Sequence, residues 1–237
     1  MQIPSLVEML EAGVHFGHKT SRWHPKMKPF IHTERAGVHV LDLEKTQAQL
    51  ETILATAKQM ASEGKTILFV TTKPQAKNIL RAAAIDCGSP FLVERWMGGL
   101  LTNFGEFRRL LKKYTSMKTE KETGEWERYT KKERVRIDKQ IEKMSVTLAG
   151  LETVENMPAA LFIPSVQKEK TAIMEANKMG VPVFGVCDSN ANPEKITYPI
   201  PANDDAVKSL TLIINLFAAA VKEGKAEFEK KKLEAVK

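Results

Sequence analysis

The 237-residue chain lacks several features that would fix its class at once. It has two cysteines, Cys87 and Cys187, with no CxxC pair, which excludes a disulfide scaffold and a cysteine-rich zinc module. No apolar run approaches the roughly 18 residues of a membrane-spanning helix. The longest, 210–221, is interrupted by Thr211 and Asn215. The first ten residues have no basic leader and carry Glu8, so neither a secretory signal nor a transit peptide is expected, and the chain reads as cytoplasmic with no membrane partner. No GxGxxG, GxxxxGK[ST] or GxSxG motif is present, and no histidine follows His39. Lys65-Thr66 resembles the end of a phosphate loop but precedes a strand instead of opening a helix. The expectation is a protein that is not an enzyme and has no cofactor.

What is present is an alternation of apolar strands and helices. Residues 5–12 read as a short helix, with Ser5 and Glu8 at capping-box spacing. Residues 30–32 and 38–41 are strand candidates around a turn at 33–37, and 44–63 is an amphipathic helix. From Lys65 onward, strands at 66–70, 91–93, 159–163 and 181–186 are interleaved with helices at 74–87, 168–179 and about 204–224. Strands that are apolar throughout and are followed by helices predict a parallel sheet covered on both faces, an α/β/α sandwich. Between the second and third strands, about 50 residues contain no strand. There Phe104, Phe107, Leu111 and Tyr114 form one a/d seam, and Ile137, Ile141, Met144, Leu148 and Leu151 form another. This predicts an inserted antiparallel coiled-coil hairpin over 102–156. The α/β domain then comprises 1–101 and 157–225, with a basic extension at 13–35 and a charged tail at 226–237.

The net charge is +7, and its distribution says more than its sum. From Arg108 to Lys143, thirteen Lys and Arg stand against seven Asp and Glu. From His15 to Arg35, five basic residues stand against Glu34 alone, and from Lys222 to Lys237 six Lys stand against four Glu. The rest of the chain is therefore net acidic, by five charges. Basic extensions on a mildly acidic body suit docking onto phosphates. In the N-terminal extension, Lys19, Arg22, Lys26, Lys28 and Arg35 suit phosphates, while His15, His18, Trp23 and Phe16 suit stacking on exposed bases and riboses. At the hairpin base, Arg95, Asn103, Arg108 and Arg109 are the corresponding candidates. Gly98-Gly99 could cradle a phosphate or simply turn the chain into the hairpin.

All five histidines lie between His15 and His39, with no HExxH, cysteine or nearby aspartate to complete a metal set, so no histidine metal site is expected. Asp188, Asp204 and Asp205 could together hold a hydrated Mg²⁺. The competing reading is that Asn203, Asp204 and Asp205 cap the last helix.

Long motifs along the chain resemble one family. They are Glu11-Ala12-Gly13-Val14-His15-Phe16-Gly17-His18, Trp23-His24-Pro25-Lys26-Met27-Lys28-Pro29, Asp42-Leu43-Glu44-Lys45-Thr46, Arg95-Trp96-Met97-Gly98-Gly99-Leu100-Leu101-Thr102-Asn103-Phe104 and Ile200-Pro201-Ala202-Asn203-Asp204-Asp205-Ala206. Together they resemble the small-subunit ribosomal protein S-two family in its bacterial form. The chain departs from the pattern at His24, Pro74, Ser165-Val166-Gln167 and Ala202. The resemblance implies a flavodoxin-like domain with a coiled-coil insert and a structural, ribosome-associated role on the solvent side of the small subunit, between head and body. It also implies contact with 16S ribosomal RNA and with neighbouring small-subunit proteins, including recruitment of ribosomal protein S-one for translation initiation. A homo-oligomer is not expected. Recruitment of a protein partner by the body or the hairpin seam remains an alternative to RNA contact for those surfaces.

Overall fold

The computed structural model describes residues 3–124, 126 and 129–235; positions 1–2, 125, 127–128 and 236–237, which belong to the expected body, hairpin turn and tail, lie outside the described residues. The chain opens with α1 (Leu6–Glu11), whose N-terminus is closed by the expected capping box: the Ser5 hydroxyl accepts from Glu8 N–H, and the Glu8 carboxylate accepts from Ser5 N–H at 2.7 Å. Three short strands follow, β1 (Phe16–Lys19), β2 (Ile31–Arg35) and β3 (Val38–Leu41), in an antiparallel sheet of order β1-β3-β2. The β2–β3 hairpin is the one expected. β1 is a correction, because no strand is expected before residue 30. Two short 3₁₀ segments, Thr20–Arg22 and Pro25–Phe30, complete the extension.

The body begins with α2 (Leu43–Ser62), N-capped by Asp42. It continues through β4 (Ile67–Val70), α3 (Pro74–Asp86), β5 (Phe91–Leu92), α4 (Phe104–Glu122), α5 (Lys131–Leu148), β6 (Ala160–Ile163), α6 (Lys170–Met179), β7 (Val183–Cys187), β8 (Tyr198–Pro201) and α7 (Val207–Ala235). The body strands form one parallel sheet of order β5-β4-β6-β7-β8, the 2-1-3-4-5 arrangement of doubly wound sheets. β8 is a second correction. Its Tyr-Pro-Ile-Pro sequence argues against a strand, yet an edge position spares the ladder bonds that Pro199 and Pro201 cannot donate.

Alternate residues of each strand enter opposite cores. Ile67, Phe69, Ala160, Phe162, Phe184 and Val186 pack with α2, α3 and α7, where the Phe162 and Phe217 rings stack at 3.9 Å. Leu68, Val70, Leu161, Ile163, Val183 and Cys187 pack with α6 and with Phe107, Leu111, Tyr114, Leu148 and Leu151 of the segment after β5. The result is three layers, α/β/α. α4 and α5 are bridged by Lys121 to Asp138, and Lys118 reaches Glu152 at 3.1 Å. Ile137, Ile141 and Met144 of the expected seam are half-buried.

α7 runs about three turns beyond the expected end at Gly224, so much of the charged tail is helix. Lys58 of α2 pairs with Glu223 and Glu227 at 3.2 and 2.9 Å, tying the extension down. α2 and α7 meet closely at Gly224, where a Cβ would drive into the Lys58 carbonyl and lie 2.7 Å from the Ala61 methyl. Overpacking there should cost about 1–3 kcal/mol. Gly224→Ala is therefore expected to lower the thermal midpoint, and an unchanged midpoint in a calorimetric scan would show that the α2–α7 contact is not tight.

Candidate nucleic-acid interface

The basic extension is stitched onto the carboxyl end of the parallel sheet. Asn203 N–H donates to Val14 C=O and its amide to Gly13 C=O, both at 3.0 Å. His18 N–H donates to Ser189 Oγ, and His24 N–H to Ser189 C=O, both at 2.8 Å. Gly17 permits this close approach: a Cβ there would lie 2.9 Å from both His39 C=O and Ser189 Oγ. Met27 is fully buried in the core beneath.

Held this way, the extension turns one face outward. Lys19, Arg22, Lys28 and Arg35 are exposed and form no ion pair among the described residues. Lys26 is exposed but pairs with Glu194 at 2.6 Å. Trp23 is partly exposed, its ring 5.2 Å from that of His39, and Phe16 is exposed beside His15. His15 is half-buried, and burial pulls its imidazole below the usual value. His18 differs from the other candidates, because its ring faces carboxylates inside the chain.

These carboxylates form a polar cluster at the sheet end, in which Asp188 and Asp204 are buried and Asp205 lies at the exposed rim. His18 Nδ1 lies 3.0 Å from Asp188 and Nε2 lies 3.3 Å from Asp205. Lys73 Nζ contacts Asp204 Oδ1 at 2.8 Å, Asp205 Oδ1 at 2.7 Å and the Asp204 carbonyl. Ser165 Oγ donates to Asp204 Oδ2 at 2.7 Å, and Asp204 N–H to Asp188 Oδ2 at 3.2 Å. The Asp188 hydrogen bond holds the His18 imidazolium above its ordinary pKa, although burial opposes it. Burial also opposes the Lys73 ammonium, but Asp204 and Asp205 outweigh that and raise its pKa. Burial, with the neighbouring Asp188 charge, raises the Asp204 carboxyl. Asp205 also resists burial, yet Lys73 holds its carboxyl below the usual range.

This geometry corrects two expectations. An aspartate does lie against the histidines: Asp188 is brought to His18 through the fold. Of the three residues expected to cap α7, Asn203 instead closes the turn that leads into it, its Oδ1 accepting from Asp205 and Ala206 N–H at 2.8 and 3.1 Å ahead of the first helical residue, Val207, while Asp204 turns inward to Lys73.

The loop between β5 and α4 is organised by a residue that the sequence alone did not single out. The buried Glu175 of α6 accepts from Trp96 Nε1 at 3.0 Å, Gly99 N–H at 2.8 Å, Leu101 N–H at 3.1 Å, and the N–H and hydroxyl of Thr102 at 3.3 Å. The backbone around Gly98-Gly99 thus cradles an internal carboxylate instead of a phosphate. Arg95, Asn103, Arg108 and Arg109 are exposed around this loop, with Arg109 paired to Glu106 at 2.6 Å.

Residues 9–224 match the family described as ribosomal protein S2. The chain belongs to the ribosomal protein S2 family. It is 44% identical over 225 residues to the small ribosomal subunit protein uS2 of Coprothermobacter proteolyticus, covering 95% of this chain and 84% of that protein. It is 44% identical over 223 residues to the uS2 of Dictyoglomus thermophilum (94% and 91% covered), and 42% identical over 228 residues to that of Parabacteroides distasonis (96% and 82% covered). The S2 relatives are ribosomal structural proteins and not enzymes. Among the described residues, no helix is long and apolar enough to cross a membrane.

Within this S2-family chain, Glu175 supports a stability test. Burial opposes its carboxylate, but the bonds from Trp96, Gly99, Thr102 and Leu101 outweigh it and lower the pKa. A depressed carboxyl contributes stability that is complete above the ordinary glutamate value of about 4.3 and is lost as pH falls through the folded value. Glu175→Gln should cost about 1–3 kcal/mol at neutral pH by leaving donors unsatisfied. Denaturant melts should show the gap to the native chain narrowing below about pH 4; a gap that is constant with pH would mean that the carboxylate charge is not used.

Proposed function

We propose that this chain is a structural constituent of the small ribosomal subunit that binds 16S ribosomal RNA through the outward face of its N-terminal extension and the rim of the hairpin base. The observation that carries the reading is the rigid placement of Lys19, Arg22, Lys28 and Arg35, exposed and without carboxylate partners among the described residues, next to the exposed Trp23 and Phe16. Lysine and arginine fixed on a stitched-down backbone meet phosphates at little cost in ordering, and the aromatics offer stacking surfaces. Lys26 joins them by exchanging Glu194 for a phosphate. Arg95, Asn103, Arg108 and Arg109 form a second contact at the base of α4, while His15 packs beneath the extension. His18 supports the contact from inside, by anchoring the backbone. Segment 102–156 acts as an inserted coiled-coil hairpin on a body made of 1–101 and 157–225. The assembled protein sits on the solvent side between head and body, as one copy, in the cytoplasm.

The same reading includes recruitment of ribosomal protein S-one. An open groove of about 380 Å³ lies between α1 and the β2–β3 hairpin, lined by Leu6, Val7, Leu10, His32 and Leu43, with Val7 63% and Leu10 53% exposed. Apolar side chains rimmed by Glu44 and Asp42 favour a protein partner over RNA there.

Two measurements separate these surfaces. Arg22→Ala with Lys28→Ala should lower occupancy in gradient-purified small subunits, and removing two phosphate contacts should reduce the salt slope of RNA binding by about 2. Unchanged occupancy and slope would refute the RNA contact. Val7→Asp with Leu10→Asp should leave occupancy intact and reduce co-sedimenting S-one; an unchanged amount of S-one would refute the groove.

A further inference from the structure

We infer that the cleft between α6 and the loops that follow β6 and β7 is a binding site for one adenine nucleotide, held with its base inward and its phosphate at the rim. The cleft has a volume of about 320 Å³. That is at the low end of the roughly 300–1,000 Å³ of small-molecule sites and suits a single nucleotide. It adjoins the N-terminal extension through His24, which also lines it. Where the nucleotide belongs to RNA, the site rests on the RNA contact proposed above and adds the base reading that phosphate contacts lack.

The lining divides into groups that match the parts of a nucleotide. Val166 and Ile173 are buried, and Met174 beside them is 64% exposed. An apolar wall with one open thioether suits the flat face of a base, which sulfur contacts favourably. Asn190 lines the same cleft, and its Oδ1 is closed off from water without a hydrogen-bond donor. A buried acceptor left unpaired is unfavourable. The last torsion of an asparagine is soft, so the amide can turn its oxygen and N–H together into the cleft. Such an amide pairs with adenine at two points, accepting from the exocyclic amine and donating to the imidazole-ring nitrogen. The ligand thus supplies the donor that the folded chain withholds.

Charge supplies an independent argument. Among the described residues no carboxylate lines the cleft, and Lys170 and Lys195 stand exposed at it without an ion pair. Lys170 is the first residue of α6, whose N-terminus has no side-chain cap, so the helix dipole adds to the attraction for a phosphate. Asn177 Nδ2 donates to the Lys195 carbonyl at 3.0 Å, which ties α6 to the loop after β7 and fixes the width of the cleft. The site is therefore formed before its ligand arrives, as small-molecule sites usually are.

The test photo-crosslinks the native full-length chain with 8-azidoadenosine and maps the label by peptide mass spectrometry. The probe is used in two forms, as the free 5′-monophosphate and as the single bulged residue of a short RNA hairpin. Label is expected within 166–177 or 190–195. The adenine form of an unlabelled competitor should displace it at least about fivefold better than the cytosine form. Labelling by the free probe assigns the site to free nucleotides as well; labelling by the RNA probe alone assigns it to a nucleotide of RNA. No label in these segments from either probe overturns the site, and so does equal displacement by the two bases. Met174→Glu changes an exposed side chain, so the thermal midpoint should hold while labelling falls about fivefold or more, through lost stacking and repulsion of the phosphate. Met179→Glu, exposed on α6 outside the cleft, should leave labelling unchanged. Full labelling of Met174→Glu also overturns the site. If the label is absent while Arg22→Ala with Lys28→Ala still lowers subunit occupancy, the cleft is refuted and the phosphate contact of the extension stands.

Discussion

Asp188 and Asp204 lie beside each other with almost no solvent contact, where β7 ends and the chain approaches α7. Two buried carboxylates repel unless cations and hydrogen-bond donors close over them. The surrounding parts of the fold provide both. Lys73 arrives at the end of β4, Ser165 at the end of β6 and His18 on β1. The extension is therefore more than an appendage resting on the body. It is held by a charge requirement of the body, and the outward direction of its basic residues follows from that attachment.

The same cluster explains why a doubly wound sheet here is a scaffold and not a catalyst. Such sheets usually take ligands at the carboxyl ends of their strands, near the point where strand order reverses. In this chain that edge is closed by its own side chains. Glu169 accepts from the Thr72 N–H and hydroxyl, Lys73 is engaged by Asp204 and Asp205, and β1 lies across the end of β7. At the neighbouring loop, Glu175 occupies the backbone donors that would otherwise meet an anion. Fold class alone carried no function; the filling of its crevice does.

Much of the architecture was legible because burial on two faces leaves a plain mark. Ile67–Val70 and Ala160–Ile163 are apolar at every position, and only a covered parallel sheet wants that. The apolar spacings of α2 and the Ser5–Glu8 cap were equally direct. β8 was hidden because its two prolines contradict local strand preference, and only its edge position, a tertiary fact, permits them. β1 was hidden because its burial is slight and its partner bonds are distant. The exposed basic residues of the extension could be read from charge and composition. Asp188, Asp204 and Asp205 were visible as acids, but their relation to His18 and Lys73 was not, since no local spacing encodes a contact across 131 positions. Glu175 left no local signal either: a single glutamate amid a helix looks like a solvated one until its donors are brought to it.

Gly17 and its surroundings also bear on the order in which the molecule can be made. The extension is synthesised before the residues that hold it: Ser189, to which His18 bonds, comes 171 positions later, and Asn203, which holds Gly13, 190 positions later. Until those residues have emerged and β7 has joined the sheet, the bonds that hold the extension to the sheet end cannot form. Contacts of such long range form late, since their loop entropy must be offset by structure already in place. The outward face of the extension is thus completed late, and a chain that stops short of Ser189 and Asn203 leaves it unattached to the sheet end.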